Sequence, residues 1–407
     1  MAQESTGSGQ FSNAEHLMPQ EERLATITRK ANFTIGVPKE TVYQEMRVSL
    51  VPSSIRLLIE NGNRVLVQRG AGESALFSDH QYSESGAEIV ETQQEVYQSD
   101  IIIKVAPPTL LEISLMKPKS VIISALHLRG QNVNYFKALS EKRITALSYE
   151  HIQDSTGAHP LMQSISEIVG GTSILLGAEF LSHPQWGRGE MLGGFSGICP
   201  TEVVILGAGT VAEFAAKAAL GLGAVVKVFD NSVLRLRKLQ DHINNRIYTS
   251  ILQPDILSKS LKTADLVIAA LYAHNGNSVV VGTENMVKEM KQGSVIIDVS
   301  IDRGGCFETS KETNHVNPVY QVHGVTHYCV PNISSRTPHT SSYALNNYFT
   351  PLLLEICGLG SLNELLLADV GLRKGVYMYN GKVTIEYISN KFNLPYQDIG
   401  LLLAAFG

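Results

Sequence analysis

The sequence predicts an α/β protein made of two doubly wound, Rossmann-like domains with parallel sheets. Three observations carry this reading. Apolar, β-branched runs of strand length alternate with helical patterns along almost the whole chain, as in a parallel sheet covered by helices. The stretch EVVILGAGTVAEFAAKAALGLGAVVKVFD (202–230) places strand, glycine turn, helix and strand in one continuous unit. The length of 407 residues, 44% of them hydrophobic, calls for two or three domains.

The elements follow in chain order. MAQESTGSGQFSN has the composition of a mobile tail, and EERLATITRK (21–30) is consistent with a short helix before the first strand. FTIGVPK (33–39) is a strand. VPSSIRLLIENG (51–62) is a helix that Ser53 or Ser54 can cap and Gly62 stops. RVLVQRG (64–70), SDIIIKVAPP (99–108), SVIISALHL (120–128) and RITALSYEHI (143–152) are further strands, and MQSISEIVGGTSILLGAEFL (162–181) is a long helix. A second unit starts near Gly193, with strands in ADLVIAAL (264–271), SVIIDVS (294–300) and THYCVPN (326–332). A long helix runs from about Ser341 to Cys357. The remainder, 358–407, is too short for its own domain and is expected to pack back on the N-terminal unit.

Composition excludes several classes. A formal net charge of −5 gives no global attraction to nucleic acid. The four cysteines, Cys199, Cys306, Cys329 and Cys357, form no C-x-x-C pair. That argues against a structural metal site or a disulfide framework and for a reducing, cytoplasmic setting. No apolar run reaches the roughly 18–20 residues of a membrane helix, and the first 30 residues lack the apolar core of a signal peptide.

The glycine turn carries the most chemistry. Gly207 permits a tight turn after a buried strand, and Gly209 lets the backbone approach a pyrophosphate on the N-terminus of the following helix. Ala212 takes the third, small position. Asp230 ends the next strand, where a carboxylate accepts hydrogen bonds from ribose hydroxyls and repels a 2′-phosphate, so NAD is favoured over NADP.

Ligands of open α/β sheets bind at the carboxyl ends of strands. Lys104 and His127 end two strands of the first unit, and Arg47 follows its first strand. Two cations and an imidazole suit a small carboxylate substrate: Arg grips it with two parallel bonds, and His moves protons near neutrality. Singly, the histidine reads as a structural residue and Arg47 as a surface charge; together, opposite a dinucleotide domain, they read as a site. Asp298 and Asp302 both lie in SVIIDVSIDRGGC (294–306). Asp302, before two glycines, reads as a cleft carboxylate, and Asp298 as a structural acid bonded to backbone amides. The bland alternative is that both cap a turn.

These stretches together resemble the alanine dehydrogenase family, which is related to the NAD-binding subunit of proton-pumping transhydrogenase. The resemblance rests on IGVPKE (35–40) with Arg47, GAGE (70–73), KV (104–105), LHL (126–128), SYE (148–150), SEI (166–168), GAGT (207–210), IDVSIDRGGCFE (297–308), YCVPN (328–332) and TSSYAL (340–345). It spans about residue 34 to the C-terminus. The resemblance implies that Arg47 and Lys104 bind substrate, and that His127 and Asp302 form the proton-transfer pair. It places Ser166, Gly207, Gly209, Thr210, Val211, Asp230, Arg235, Leu271, Val299 and Asn332 against NAD. It leaves a polar extension over 1–32 outside the likeness, and implies a substrate domain split between 33–165 and 336–407, an NAD-binding Rossmann domain over 166–335, and a homo-hexamer.

The sequence departs from the family pattern at Leu252, Ala212, Arg303, Ile165, VAPP (105–108) and AHNGN (273–277). The reading that follows is reversible oxidative deamination of L-alanine to pyruvate and ammonium by NAD, with no metal, nucleic-acid or membrane partner. The rivals are a related amino- or imino-acid dehydrogenase with another side-chain preference and a non-catalytic NAD-binding regulator.

Overall fold

The structure, a computed structural model, describes residues 32–406 apart from Asn244 and residues 273–278. The expected N-terminal tail and short helix, and the AHNGN loop, lie outside the described residues. In the first unit the strands are β1 (Thr34–Val37), β2 (Arg64–Gln68), β3 (Glu88–Val90), β4 (Ile101–Ile103), β5 (Val121–Ser124) and β6 (Thr145–Ser148). In the second they are β7 (Glu202–Leu206), β8 (Val225–Phe229), β9 (Tyr248–Ser250), β10 (Leu266–Ala269), β11 (Val295–Asp298), β12 (Val319–Val322) and β13 (Val325–Tyr328). The returning chain adds β14 (Val376–Tyr379) and β15 (Lys382–Val383).

These strands form two sheets. One has eight strands in the order β3-β2-β1-β4-β5-β6-β14-β15, and the other has seven in the order β9-β8-β7-β10-β11-β13-β12. Strand order reverses between β1 and β4 in the first and between β7 and β10 in the second. Such reversals open a crevice at the carboxyl ends of the strands. The inner strands are buried on both faces, as β4 (Ile-Ile-Ile) and β10 (Leu-Val-Ile-Ala) illustrate, and this explains their unbroken apolar runs.

The sheets are not wholly parallel, a correction to the sequence reading. β14 pairs antiparallel with β6 and β15, and β12 pairs antiparallel with β13. Two hairpins explain the β14–β15 and β12–β13 pairings. Asn380-Gly381 and His323-Gly324 each form a two-residue turn with both residues at positive φ (46° and 77°; 53° and 76°). A turn of that shape matches the strand twist and reverses the chain at once, so its strands run antiparallel. Strands also stop earlier than expected. β13 ends at Tyr328 because the chain turns ahead of Asn332, itself left-handed at φ 59°.

The helix Pro160–Ser182 links the two units. Gly170 lies so close to the Val211 carbonyl and the Phe214 Cβ that a side chain there would collide with the helix Thr210–Gly221. With 23 residues this helix is long and apolar enough to cross a membrane by length and composition, contrary to the expectation that no run would be. Much of it is buried within the fold, including Leu161, Val169, Ile174 and Leu181, which makes it a core helix. The second long helix, Pro338–Leu359, returns the chain to the first unit. Its Ser342 Oγ accepts the Val48 N–H at 2.9 Å, and its Asn346 Oδ1 accepts the Val51 N–H at 2.9 Å.

Candidate active site

The loop after β1 reaches over the crevice and brings Arg47 to the start of the Ile333–Arg336 turn. Arg47 is buried. Its Nε and Nη2 donate to the two Glu45 carboxylate oxygens at 2.7 and 2.6 Å, and its Nη1 donates to Ser334 Oγ at 3.0 Å. A guanidinium carries five N–H groups. The outer N–H of each terminal nitrogen is therefore still available to a second carboxylate. Glu45 also accepts Ser335 Oγ at 2.9 Å and Asn332 Nδ2 at 2.9 Å. Burial opposes its ionisation, but the Arg47 charge and these donors outweigh burial and hold its pKa at about 2.

Lys104, at the end of β4, is fully buried. Its Nζ donates to Glu40 at 2.6 Å and stands 3.6 Å from Glu112. Glu40 Oε1 accepts the Val105 N–H at 2.6 Å, and Glu112 accepts Thr41 Oγ1 at 3.0 Å and the Thr109 N–H at 2.7 Å. Burial works against the charge on Lys104, but the two carboxylates reverse the sign and raise its pKa, so it remains an ammonium. Burial likewise dominates at Glu40 and raises its pKa.

His127 ends the run after β5 in a left-handed conformation, φ 43° and ψ 56°. Non-glycine residues seldom adopt it without support. Glu150 supplies that support: its Oε2 accepts the Leu126 N–H at 2.7 Å and the His127 N–H at 3.0 Å. The other carboxylate oxygen lies 3.8 Å from His127 Nε2. The imidazole is half-exposed and free to meet a ligand.

Asp302 follows β11 on the opposite unit. Its side chain is half-exposed, yet desolvation by the protein around it raises its pKa. The Arg303, His127 and Arg129 charges pull the other way. The His127 charge, from the other unit, thus acts on Asp302. Arg303 Nε lies 3.7 Å from the Asp302 carboxylate, and its guanidinium stacks over Tyr272 at 4.3 Å. Asp298 is buried and accepts the Ser300 and Cys306 N–H groups at 3.1 and 2.7 Å, as a structural acid does.

The glycine turn lies at the second reversal. Gly207 has φ 111°, and a Cβ there would stand 2.5 Å from the Ala270 carbonyl. Any other residue is excluded twice, by backbone conformation and by space. Nothing lies within 4 Å of a Cβ built on Gly209, so the helix N-terminus at Thr210 opens onto free volume, as an approaching pyrophosphate requires. Asp230 accepts the Ala208 N–H at 2.9 Å and the Ser232 N–H at 2.7 Å, with Arg235 at 3.6 Å. A carboxylate has about four acceptor positions, so two remain for ribose hydroxyls. Leu271 and Val299 follow β10 and β11 beside this turn, and Ser166 and Val211 are half-buried on the two helices that meet there. These residues fit a dinucleotide. Asn332, expected beside the cofactor, bonds Glu45 and so also ties the two units together.

Sequence reasoning missed the carboxylates that orient every cation. Glu40 and Glu150 stand inside the IGVPKE and SYE stretches, which was a usable signal. Glu45 and Glu112 carry none, because nothing in their neighbourhoods distinguishes them from surface acids.

Two doubly wound sheets, one holding a dinucleotide turn and the other a pair of buried cations after its strands, define a two-domain NAD-dependent oxidoreductase. The alanine dehydrogenase/PNT N-terminal domain matches residues 36–169, and the alanine dehydrogenase/PNT C-terminal domain matches residues 173–386. The chain belongs to the alanine dehydrogenase/PNT family. It is 39% identical to an alanine dehydrogenase of Methanococcus maripaludis, with 89% of this chain and 97% of that protein covered. It is 38% identical to an alanine dehydrogenase of Staphylococcus saprophyticus, with 90% and 98% covered. A solved L-alanine dehydrogenase superposes with a TM-score of 0.83 at 36% identity, over 88% of this chain and 99% of that one. A transhydrogenase from Sinorhizobium meliloti shares the fold, with a TM-score of 0.73 at 21% identity over 87% and 99% of the two chains.

Proposed function

We propose that this protein catalyses the reversible oxidative deamination of L-alanine to pyruvate and ammonium with NAD. What supports the reading is Arg47, Lys104 and His127 after the carboxyl ends of strands in one unit, with the glycine turn and Asp302, whose charge couples to that of His127, in the other. When bound, NAD accepts the hydride that leaves the substrate α-carbon. Arg47 holds the substrate carboxylate through its two remaining N–H groups. Lys104, kept cationic by Glu40 and Glu112, donates to the oxygen that gains charge as water adds to the iminium carbon and the carbinolamine collapses. His127 takes the proton from the substrate ammonium and releases it to solvent, then takes one from the attacking water and returns it to the leaving amine as the carbinolamine collapses, and the Asp302 charge stabilises the imidazolium. Holding the reacting carbons in contact removes much of the entropic barrier.

The division into a polar extension (1–32), a substrate domain (33–165 with 336–407) and an NAD domain (166–335) belongs to the same reading. β14 and β15 on the first sheet support its discontinuous half. A homo-hexamer in the cytoplasm completes it. Four free cysteines, three of them buried, suit a reducing compartment. The test is NADH formation with a panel of L-amino acids, set beside NADH loss with pyruvate plus ammonium. Turnover on L-alanine above all others supports the reading, and NAD binding without turnover on any amino acid overturns it. Light scattering on the purified protein decides the hexamer.

A further inference from the structure

The charges behind the substrate position do not balance. Lys104, Arg47, Glu40, Glu45 and Glu112 have side-chain exposures of 0, 6, 6, 2 and 1%. Three carboxylates against two cations leave one negative charge shielded from water, where uncompensated charge is expensive. In this arrangement every oxygen of Glu40 faces a donor: the Val105 N–H, Lys104 Nζ and, at 3.4 Å, the Ala106 N–H. With only donors on both oxygens and no acceptor for an acid proton, this geometry is that of a Glu40 carboxylate, held against the burial that raises its pKa. The other groups that face it are Glu112, Glu45 with its partner Arg47, and the Tyr97 and Tyr149 phenols, whose ionisation Glu40 opposes. None of them supplies a further positive charge.

A zwitterionic amino acid adds no net charge to this cluster, whereas a 2-oxo acid adds a second unbalanced negative. We propose that binding of a 2-oxo acid on Arg47 and Lys104 draws one proton from solvent into the Glu40–Lys104–Glu112 triad, one carboxylate becoming a carboxylic acid. Two contacts make room for the proton. Thr41 Oγ1, 3.0 Å from Glu112, is a hydroxyl that can turn from donor to acceptor without moving its oxygen. Lys104 holds Glu112 at only 3.6 Å and has N–H groups to turn toward the ligand, which frees carboxylate lone pairs. Glu40 and Glu112 are in this sense positioning residues that set the charge of the pocket.

This inference rests on the assignment of Arg47 and Lys104 to the substrate carboxylate. Oxamate, an amide shaped like pyruvate, is titrated calorimetrically into the full-chain enzyme·NADH complex, in two buffers of different ionisation enthalpy. The expected uptake is about one proton per oxamate bound, with affinity falling about tenfold per pH unit on the alkaline side. Glu40→Gln and Glu112→Gln each remove the excess charge, so either abolishes the uptake, while His127→Asn retains it. NADH fluorescence certifies that each variant is folded. Oxamate binding without proton uptake in the unsubstituted enzyme overturns the inference and leaves the proposed function standing. Uptake that persists in both glutamine variants, or vanishes with His127→Asn, also overturns it. Absence of oxamate binding with turnover on L-alanine retained overturns this inference alone, and absence of both overturns the proposed function with it.

Discussion

Replacing Glu45 with Gln should cost roughly 3 kcal/mol of stability at neutral pH, and the cost should fade in acid. The carboxylate is 2% exposed and takes two bonds from the Arg47 side chain, one from Ser335 and one from Asn332. Its pKa is about 2, against an ordinary 4.5. A tenfold change in an ionisation constant corresponds to about 1.4 kcal/mol, so this depression is worth about 3 kcal/mol once the carboxylate is ionised in both the folded and the unfolded chain. Because the folded pKa is depressed, this stabilisation is full above about pH 4.5 and is lost as pH falls through about 2. By the same linkage, about 2 kcal/mol remains at pH 3.5. Urea unfolding followed by far-UV circular dichroism, on both proteins at pH 7 and pH 3.5, measures this directly. The variant should also raise KM for pyruvate, since Arg47 loses its main anchor. Equal stability at pH 7, or a difference that does not shrink at pH 3.5, would refute the claim that Glu45 is an ionised partner of Arg47.

Three further outcomes follow from the same geometry. His127→Ala should keep NADH binding and lose on the order of 10²–10⁴ in turnover in both directions; near-normal steady-state rates would make the histidine structural. Asp230→Ala should narrow the preference for NAD over NADP and weaken both, since the carboxylate also holds the Ala208 and Ser232 amides; an unchanged ratio of kcat/KM for the two cofactors contradicts this. Arg303→Gln removes one of the charges that restrain the burial-raised pKa of Asp302, so that pKa climbs. If Asp302 works as a carboxylate, the acid limb of the kcat/KM profile moves to higher pH, and a superimposable profile would show that Arg303 does not act on it.

Much of the frame was legible because its causes are local. An apolar β-branched run makes a buried strand wherever it lies, and Gly207-Ala208-Gly209 makes its turn from backbone sterics alone. The antiparallel edges were equally local: Asn380-Gly381 is a strong hairpin signal, and reading it would have identified β14 and β15. β3 and β9 have three residues each, too few for a period to register.

By itself the sequence determined the α/β class, the two units and the dinucleotide turn with Asp230, and it singled out Arg47, Lys104, His127 and Asp302 as candidate site residues. Only the tertiary structure decided how those residues are charged and aimed. Glu40 meets Lys104 across 64 positions, and Arg47 meets Ser334 across 287. The pairing depends on which strands become neighbours at the reversal between β1 and β4 and on how the returning chain crosses the cleft. Turn and strand preferences act over a few residues, whereas a buried charge is settled by whatever the whole fold places within about 4 Å of it.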